Sequence, residues 1–316
     1  MKIGRVLKKI QIRNYITYIA FIVIFVFFII ILHGKGFFTV GNLMNIARQT
    51  SMISIMAIGM TFVLSTGEID LSIGSIVALS ALITALALRN FNIWVAILAG
   101  LGTGAIIGLT NGLLVTKARI PSFLVTLGMM GIIAGFARWI THLESVPVVN
   151  EFYNFIFGSG DIGSFSVLFI WTIVLVVLGQ LVLKKTSFGR YTLATGGNKV
   201  AANFSGIKVN NIKLTVLVLN GMTAALAGML YVGRLHGARY TLGEADLMTV
   251  IAAVIIGGTS LFGGKGTVIG ALIGSLIMGT ISNGLVLMGL TVAQQMIFRG
   301  VIIIAAVSVN IKEAEN

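Results

Sequence analysis

Long apolar runs recur along the whole sequence with almost no charge inside them, and such runs belong either in a large buried core or in a lipid bilayer. A helix needs about 20 mostly apolar residues to span the hydrocarbon. Residues 15–32, 46–64, 69–88, 93–115, 123–140, 165–183, 212–235, 247–256, 268–290 and 296–309 form runs of this kind, the eighth short enough to re-enter instead of crossing. Composition rejects the soluble core: of 316 residues, 57% are hydrophobic and 10% charged, where a soluble domain carries about 25% charged residues. In lipid every backbone polar group must bond within its own segment or barrel. The expected fold class is therefore an all-α polytopic membrane protein of about ten transmembrane helices. Abundant glycine (39) and scarce proline (2) agree, since small residues let bilayer helices approach closely and few prolines leave them unbroken. The first run is too long for a signal-peptide core and no small-residue cleavage site follows it, so it is expected to stay as a membrane helix.

The net charge of +13 would suggest nucleic acid in a soluble protein, but its placement speaks for a membrane. Lys2, Arg5, Lys8, Lys9 and Arg13 precede the first run, Lys117 and Arg119 sit between the fourth and fifth, and Lys184, Lys185, Arg190, Lys199, Lys208 and Lys213 share one segment free of Asp and Glu. The positive-inside bias produces such clusters. Ten crossings with a cytoplasmic N-terminus place all of them, and Lys312, inside, and leave the 142–163 loop, with Glu144, Glu151 and Asp161 and no Lys or Arg, outside. No stretch is polar enough for a soluble domain. The whole chain, 1–316, reads as one transmembrane domain with a basic cytoplasmic N-terminus (1–14), a cytoplasmic segment (184–213) and a cytoplasmic tail (310–316). Without cysteine there are no disulfides and no thiolate metal sites.

Two interruptions carry chemistry. Thr66, Gly67, Glu68, Asp70 and Ser72 break the apolar pattern between two runs. Acids at bilayer depth must face a cavity, a partner or water. One reading is therefore a polar break lining or gating a pathway; the other is a short turn in which Asp70 or Ser72 caps the next helix. The second interruption lies inside the basic segment, where residues 198–206 read as a short isolated helix. Asn198 is a good N-cap, Gly206 a good terminating glycine, and Ala201, Ala202 and Phe204 are small or apolar. About two turns of helix are marginal alone and need a surface, either the bundle itself or a cytoplasmic partner. Residues 63–67 leading to 73–75 and 254–258 leading to 264–266 also look alike: an apolar run, a glycine-bearing break, and a second run opening on small residues. Internal repeats of that kind are common in transporters.

The stretch GMTFVLSTGEIDLSIGS (59–75) resembles the signature of permease subunits of ribose-type ABC importers, in the sugar and branched-chain amino acid permease superfamily. NGLLV (111–115) with IPSFLVTLG (120–128), TSFGRYTLATGGN (186–198) with SGI (205–207), IAAVIIGGTSLFGGKG (251–266) and NGL (283–285) are similar to that family's further motifs in the same order. The resemblance implies a type II ABC importer-like bundle in the bacterial cytoplasmic (inner) membrane, surrounded by lipid. It also implies a second permease copy (a homodimer, or a heterodimer with a paralogue), a pair of ABC ATPase subunits and an external solute-binding protein that hands over a small sugar such as ribose. Gly197, Asn198, Ala201, Phe204, Ser205 and Gly206 then map onto the family's ATPase-coupling helix. Thr66, Gly67, Glu68, Asp70, Ser72, Asn111 and Asn283 are the candidate pathway or gate residues.

The chain holds no Walker-type phosphate loop: in the glycine-rich stretch 258–266, Lys265 is followed by glycine. Energy is expected from a partner, with no cofactor, no metal and no enzymatic activity in this chain. Two departures from the family pattern stand out. Relatives commonly have Gly-Gly-Ile-Asp where this chain has Gly67, Glu68, Ile69 and Asp70, and Glu244 and Asp246 lie slightly earlier than the usual acidic pair, so no role is carried over to them. The competing class is an ion- or proton-coupled secondary transporter, for which Glu68, Asp70 and Arg138 are the coupling candidates, unless Arg138 only snorkels to the interface. His33, His142 and His236 fall near outer helix ends without metal or nucleophile spacing, which argues against a membrane-embedded enzyme.

Overall fold

The structure is a computed structural model and describes residues 15–314; Lys2, Arg5, Lys8, Lys9 and Arg13 lie outside the described residues. The chain is mostly helical. In order come α1 (Ile16–Ile31), α2 (Val40–Ser65), α3 (Ile73–Asn90), α4 (Ile93–Thr116), α5 (Ser122–Thr141), β1 (Val146–Pro147), α6 (Glu151–Asn154), a π-helical turn (Phe155–Ser159), β2 (Asp161–Ile162), β3 (Phe165–Ser166), α7 (Val167–Lys185), α8 (Ser187–Gly197), α9 (Lys199–Phe204), α10 (Val209–Leu235), β4 (Gly237–Ala238), α11 (Asp246–Ile256), α12 (Val268–Leu287) and α13 (Val292–Ala314). Seven of these, α2, α3, α4, α5, α7, α10 and α12, are long and apolar enough to cross a membrane. Apolar helices α1 and α11 and the 292–305 part of α13 are shorter. Each apolar run in the sequence thus became a helix, and the last one continues to Ala314, through much of the stretch expected as a tail.

Local chemistry sets the boundaries. Thr39, Asn92, Ser166 and Thr267 each accept a backbone N–H of the first turn they precede, satisfying donors that a helix start otherwise leaves orphaned. Helices α2, α3, α10 and α12 form the inner bundle, with most of their apolar surface buried against one another, while α4, α5 and α7 keep theirs largely exposed, as lipid-facing helices do. Contact between α4 and α10 depends on Gly100, Gly104, Gly108 and Gly112, spaced every fourth residue. A Cβ on Gly104 would lie 2.2 Å from the Gly221 carbonyl oxygen, and one on Gly108 2.5 Å from that of Leu217. Backbone against backbone leaves no side chain to give way, so Gly108→Leu should separate the two helices and cost about 3 kcal/mol, read as a lowered unfolding midpoint of the detergent-purified protein.

Two stretches are more ordered than their sequences suggested. Residues 142–163, expected as a loop, pair β1 antiparallel with β4 (Val146 opposite Ala238) and β2 with β3. Between the two pairs, Tyr153 is fully buried, donates to the Met229 carbonyl at 2.9 Å and stacks on Phe157 at 4.7 Å, and Phe157 stacks on Trp171. Aromatic burial outweighed the polar composition of its flanks. In the basic segment, α8 precedes the expected short helix, capped by Thr186 through Gly189 N–H and held by Phe188 stacked on Phe62 of α2.

Candidate functional site

At the end of α2 the chain stops being helical by a specific device. Gly67 takes φ +76°, its N–H bonds the Leu64 carbonyl, and the Glu68 N–H reaches back to Val63 at 3.3 Å, the paired bonds of a Schellman ending that only a glycine-like residue takes without strain. Helix α11 ends the same way: Gly258 has φ +89°, its N–H bonds Ile255, and the Thr259 N–H bonds Val254. The two segments that look alike in sequence therefore share a terminating geometry at equivalent positions. They also meet, since the Gly264 N–H donates to the Ser65 carbonyl at 3.0 Å.

Beyond Gly67 the extended segment to Ser72 is tied down by side chains. Ser122 and Thr126 on α5 accept the Ile69 and Leu71 N–H groups at 3.1 and 3.0 Å. Asp70 Oδ1 accepts the Ser72 N–H at 2.9 Å and its hydroxyl at 2.6 Å, while Oδ2 accepts the Asn220 amide of α10 at 2.9 Å. Asn111 of α4 donates to the Ser72 hydroxyl at 3.0 Å. Asp70, Ser72, Asn111 and Asn220 are all inaccessible to solvent. A polar knot of this kind, sealed among four helices, fixes the break instead of leaving it free to slide.

Glu68 faces the other way. It forms an ion pair with Lys213 of α10 and lines a cavity of about 710 Å³ at the end of the bundle where the α4–α5 turn, α9 and the start of α10 meet. The two acids thus differ: Asp70 is sealed inside and accepts the Ser72 N–H just ahead of α3, where Ser72 itself caps no N–H, while Glu68 lines the cavity. Lys213→Met should strand Glu68 in that wall. A double-mutant cycle with Glu68→Gln on unfolding free energy should return a coupling of about 1–3 kcal/mol, and none if the pair is incidental.

Helix α9 projects from the same end. Asn198 accepts the Val200 and Ala201 N–H groups, both at 3.0 Å. Gly206 ends the helix at φ +82° with its N–H on Asn203 and the Ile207 N–H on Ala202. Ala202 is buried against the bundle, whereas Val200, Ala201, Ser205 and Phe204 face out, Phe204 with 89% of its surface exposed. The helix is not isolated, because Asn198 also closes α8. A Cβ on Gly196 of α8 would lie 2.0 Å from the Ser65 carbonyl oxygen, and one on Gly263 2.7 Å from the Gly196 oxygen. The end of α2, the end of α8 and the α11–α12 break are therefore in backbone contact.

The sequence model of the family described as "Branched-chain amino acid transport system / permease component" matches residues 42–307. The chain belongs to that permease family. The permease is 42% identical over 287 residues to the ribose import permease protein RbsC of Escherichia coli (strain K12), covering 89% of this chain and 88% of the relative. It is 40% identical over 275 residues to that of Bacillus subtilis (strain 168), covering 86% and 85%. The fructose import permease protein FrcC of Rhizobium meliloti is 34% identical over 291 residues, covering 89% of this chain and 80% of its own. No solved structure matches. The permease is a multi-pass membrane protein of the ABC-importer class, and the bacterial relatives agree with an inner-membrane location.

Not every candidate residue of the permease gathers at this end. Asn283 sits near the far end of α12 and exchanges two amide hydrogen bonds with Asn42, each 2.9 Å, away from Asn111 and the break. Arg138 does more than snorkel: it bonds Glu244 at 2.7 Å and lies over the Tyr240 ring at 5.4 Å, and Asp246 accepts the Tyr231 hydroxyl at 2.6 Å. Asn220, Lys213, Ser122 and Thr126 were not singled out from the sequence as site residues. A lone Asn in the apolar run 212–235 was the available signal, since a polar side chain at bilayer depth needs a partner.

Proposed function

We propose that the chain is the membrane-spanning subunit of an ATP-driven importer that moves a monosaccharide, ribose or a close relative, into the cytoplasm. In this reading it crosses the membrane about ten times with both termini inside, as a single transmembrane domain. The shorter helices α1, α11 and α13 supply the remaining crossings, α11 being continued by the extended break before α12. An external solute-binding protein delivers the sugar and a separate pair of ATPase subunits drives the cycle, with a second permease copy completing the pathway.

The observation that carries the reading is the capped helix α9, which presents a nearly naked Phe204 from the basic end of the bundle. A large aromatic so exposed beside cations is suited to a protein groove. Gly197, Asn198, Ala201, Ser205 and Gly206 shape and border that knob. Movement of α9 would pass through Asn198 to α8, and from Gly196 to the ends of α2 and of the α11–α12 break. Thr66, Gly67, Glu68, Asp70, Ser72 and Asn111 then belong to the hinge of an alternating-access device, in which a packed bundle switches between two arrangements. The substrate reading rests on the relatives, whose names specify ribose, fructose and L-arabinose.

Reconstitution of the permease with its ATPase and binding protein in proteoliposomes tests this. Ribose uptake is expected to require ATP and to survive ionophores that collapse ion gradients. Uptake without ATP that stops with the ionophore would make the chain a secondary transporter, and ATP-driven uptake of an amino acid in place of a sugar would overturn the substrate class.

A further inference from the structure

The cavity beside Glu68 has a property that a docking role for α9 does not require. Its walls carry Arg119, Lys199, Lys208 and Lys213 against a single acid, Glu68, which is already paired with Lys213. Among the described residues no carboxylate lies within ion-pair distance of Arg119, Lys199 or Lys208. Positive-inside bias explains cations at this end of the bundle, but it does not explain their convergence on one concave space.

Two helix N-termini open into the same space. Pro121 immediately precedes α5 and Lys208 immediately precedes α10; neither start has a side-chain cap or an acid in its first turn, although Thr39, Asn92, Ser166 and Thr267 cap other long helices here. Pro121, Val209, Asn210 and Asn211 line the cavity, so the positive ends of both helix dipoles add to the side-chain field; at α10 the Val209 and Asn211 N–H groups bond the Ile207 and Lys208 carbonyls, which leaves that of Asn210 for a ligand. Arg119 occupies the left-handed region at φ +59°, a conformation costly for a residue with a side chain. Arg119 lines the cavity from the α4–α5 turn. The amides of Asn203, Asn210 and Asn211 supply neutral donors. A volume of about 710 Å³ falls within the ordinary range for small-molecule pockets, roughly 300–1,000 Å³.

We propose that this cavity binds a phosphomonoester, its dianion held between Arg119 and Lys208 over the starts of α5 and α10, with the rest of the molecule directed toward Asn203 and Lys199. The phosphate comes either from a small soluble metabolite or from a lipid headgroup. Guanidinium and ammonium donors with backbone N–H groups are the recurrent recognition chemistry of that anion. Lys199 and Asn203 belong to α9 and Glu68 to the α2–α3 break, so an occupant bridges the two parts whose relative motion the transport cycle uses.

The test uses the full chain purified in a non-ionic detergent and titrated calorimetrically with inorganic phosphate and with glycerol 3-phosphate. The comparison is between the wild type, an Arg119→Gln/Lys208→Gln variant, and a Lys184→Gln/Lys185→Gln variant that removes the same charge from the same end outside the cavity. Saturable binding is expected in the wild type and in the lysine control. Loss of two charge-assisted contacts should weaken it at least about tenfold in the cavity variant. Binding should also weaken as the pH falls below about 6, where the phosphomonoester loses its second charge. Competition by phosphatidic acid, set against phosphatidylcholine in nanodiscs, separates the two sources: displacement of bound phosphate by the lipid assigns the headgroup, and its absence the soluble ligand. Single Lys208→Gln, at an exposed side chain, serves if the double variant fails to purify. No saturable binding of any phosphomonoester, or equal weakening in both double variants, overturns the proposal. Lost ATPase affinity in the cavity variant without phosphate binding by the wild type would also overturn it and give these cations to a protein partner.

Discussion

Phe204→Asp is expected to abolish ATP-driven uptake while leaving the permease folded in the membrane. The side chain is 89% exposed, so its loss removes almost nothing from the interior. Buried aromatic anchors at protein interfaces commonly contribute 2 kcal/mol or more, about a thirtyfold loss of affinity on truncation, and aspartate would additionally place an unpaired charge in the groove that receives the ring. Co-purification of the ATPase should fall at least about thirtyfold, with unchanged expression and size-exclusion profile of the permease. Phe204→Leu should retain a measurable part of both activities. Gly206→Asp should fail by a different route: at φ +82° any side chain is strained, and the turn that ends α9 would shift. Undiminished ATPase binding and uptake in Phe204→Asp would remove α9 from the coupling pathway.

How much of this was legible in the sequence depends on what each signal measures. Apolar run length is a direct reading of the bilayer, and every run expected to be helical is helical. Terminators were legible for the same local reason: Asn198, Gly67 and Gly206 act through their own backbone and side chain within a few residues, and each does in the structure what its residue type suggests. What stayed hidden was long-range. Asp70 bonds Asn220 across 150 positions and Lys213 pairs with Glu68 across 145, and nothing local to either member announces the other. The stretch 142–163 misled for the opposite reason, because its three acids outweighed Tyr153 and Phe157 in composition while the aromatics decided the packing. Lys184–Lys213 was legible as a charged segment, but its first helix, α8, was not. The small and polar residues at 187–197 carry a weak helical pattern, and the helix is held by contacts of Phe188 and Gly196 with α2.

The same distinction between local and long-range contacts predicts different outcomes for the two acids of the α2–α3 break. Asp70→Ala removes the only acceptor among the described residues of three donors, the Ser72 N–H, the Ser72 hydroxyl and one Asn220 amide hydrogen, in a place that water does not reach. A buried donor left unsatisfied costs about 1–3 kcal/mol, and three in one knot, with partial relaxation, should cost on the order of 3–5 kcal/mol. That is a large share of a typical folding free energy, so the variant should be scarce in the membrane and show a strongly lowered unfolding midpoint. Asp70→Asn keeps the shape and one acceptor oxygen but turns an NH2 group toward a remaining donor, so a smaller loss, about 1–2 kcal/mol, is expected. Glu68→Gln, on the cavity wall, should purify normally and lose less than Asp70→Ala, about 1–2 kcal/mol, since it gives up one ion pair while the amide and the Lys213 ammonium can reorganise at the cavity. Equal thermal stability of Asp70→Ala and Glu68→Gln would mean that the buried knot does not hold the break, and Asp70 would then have to be reconsidered as a residue of the pathway.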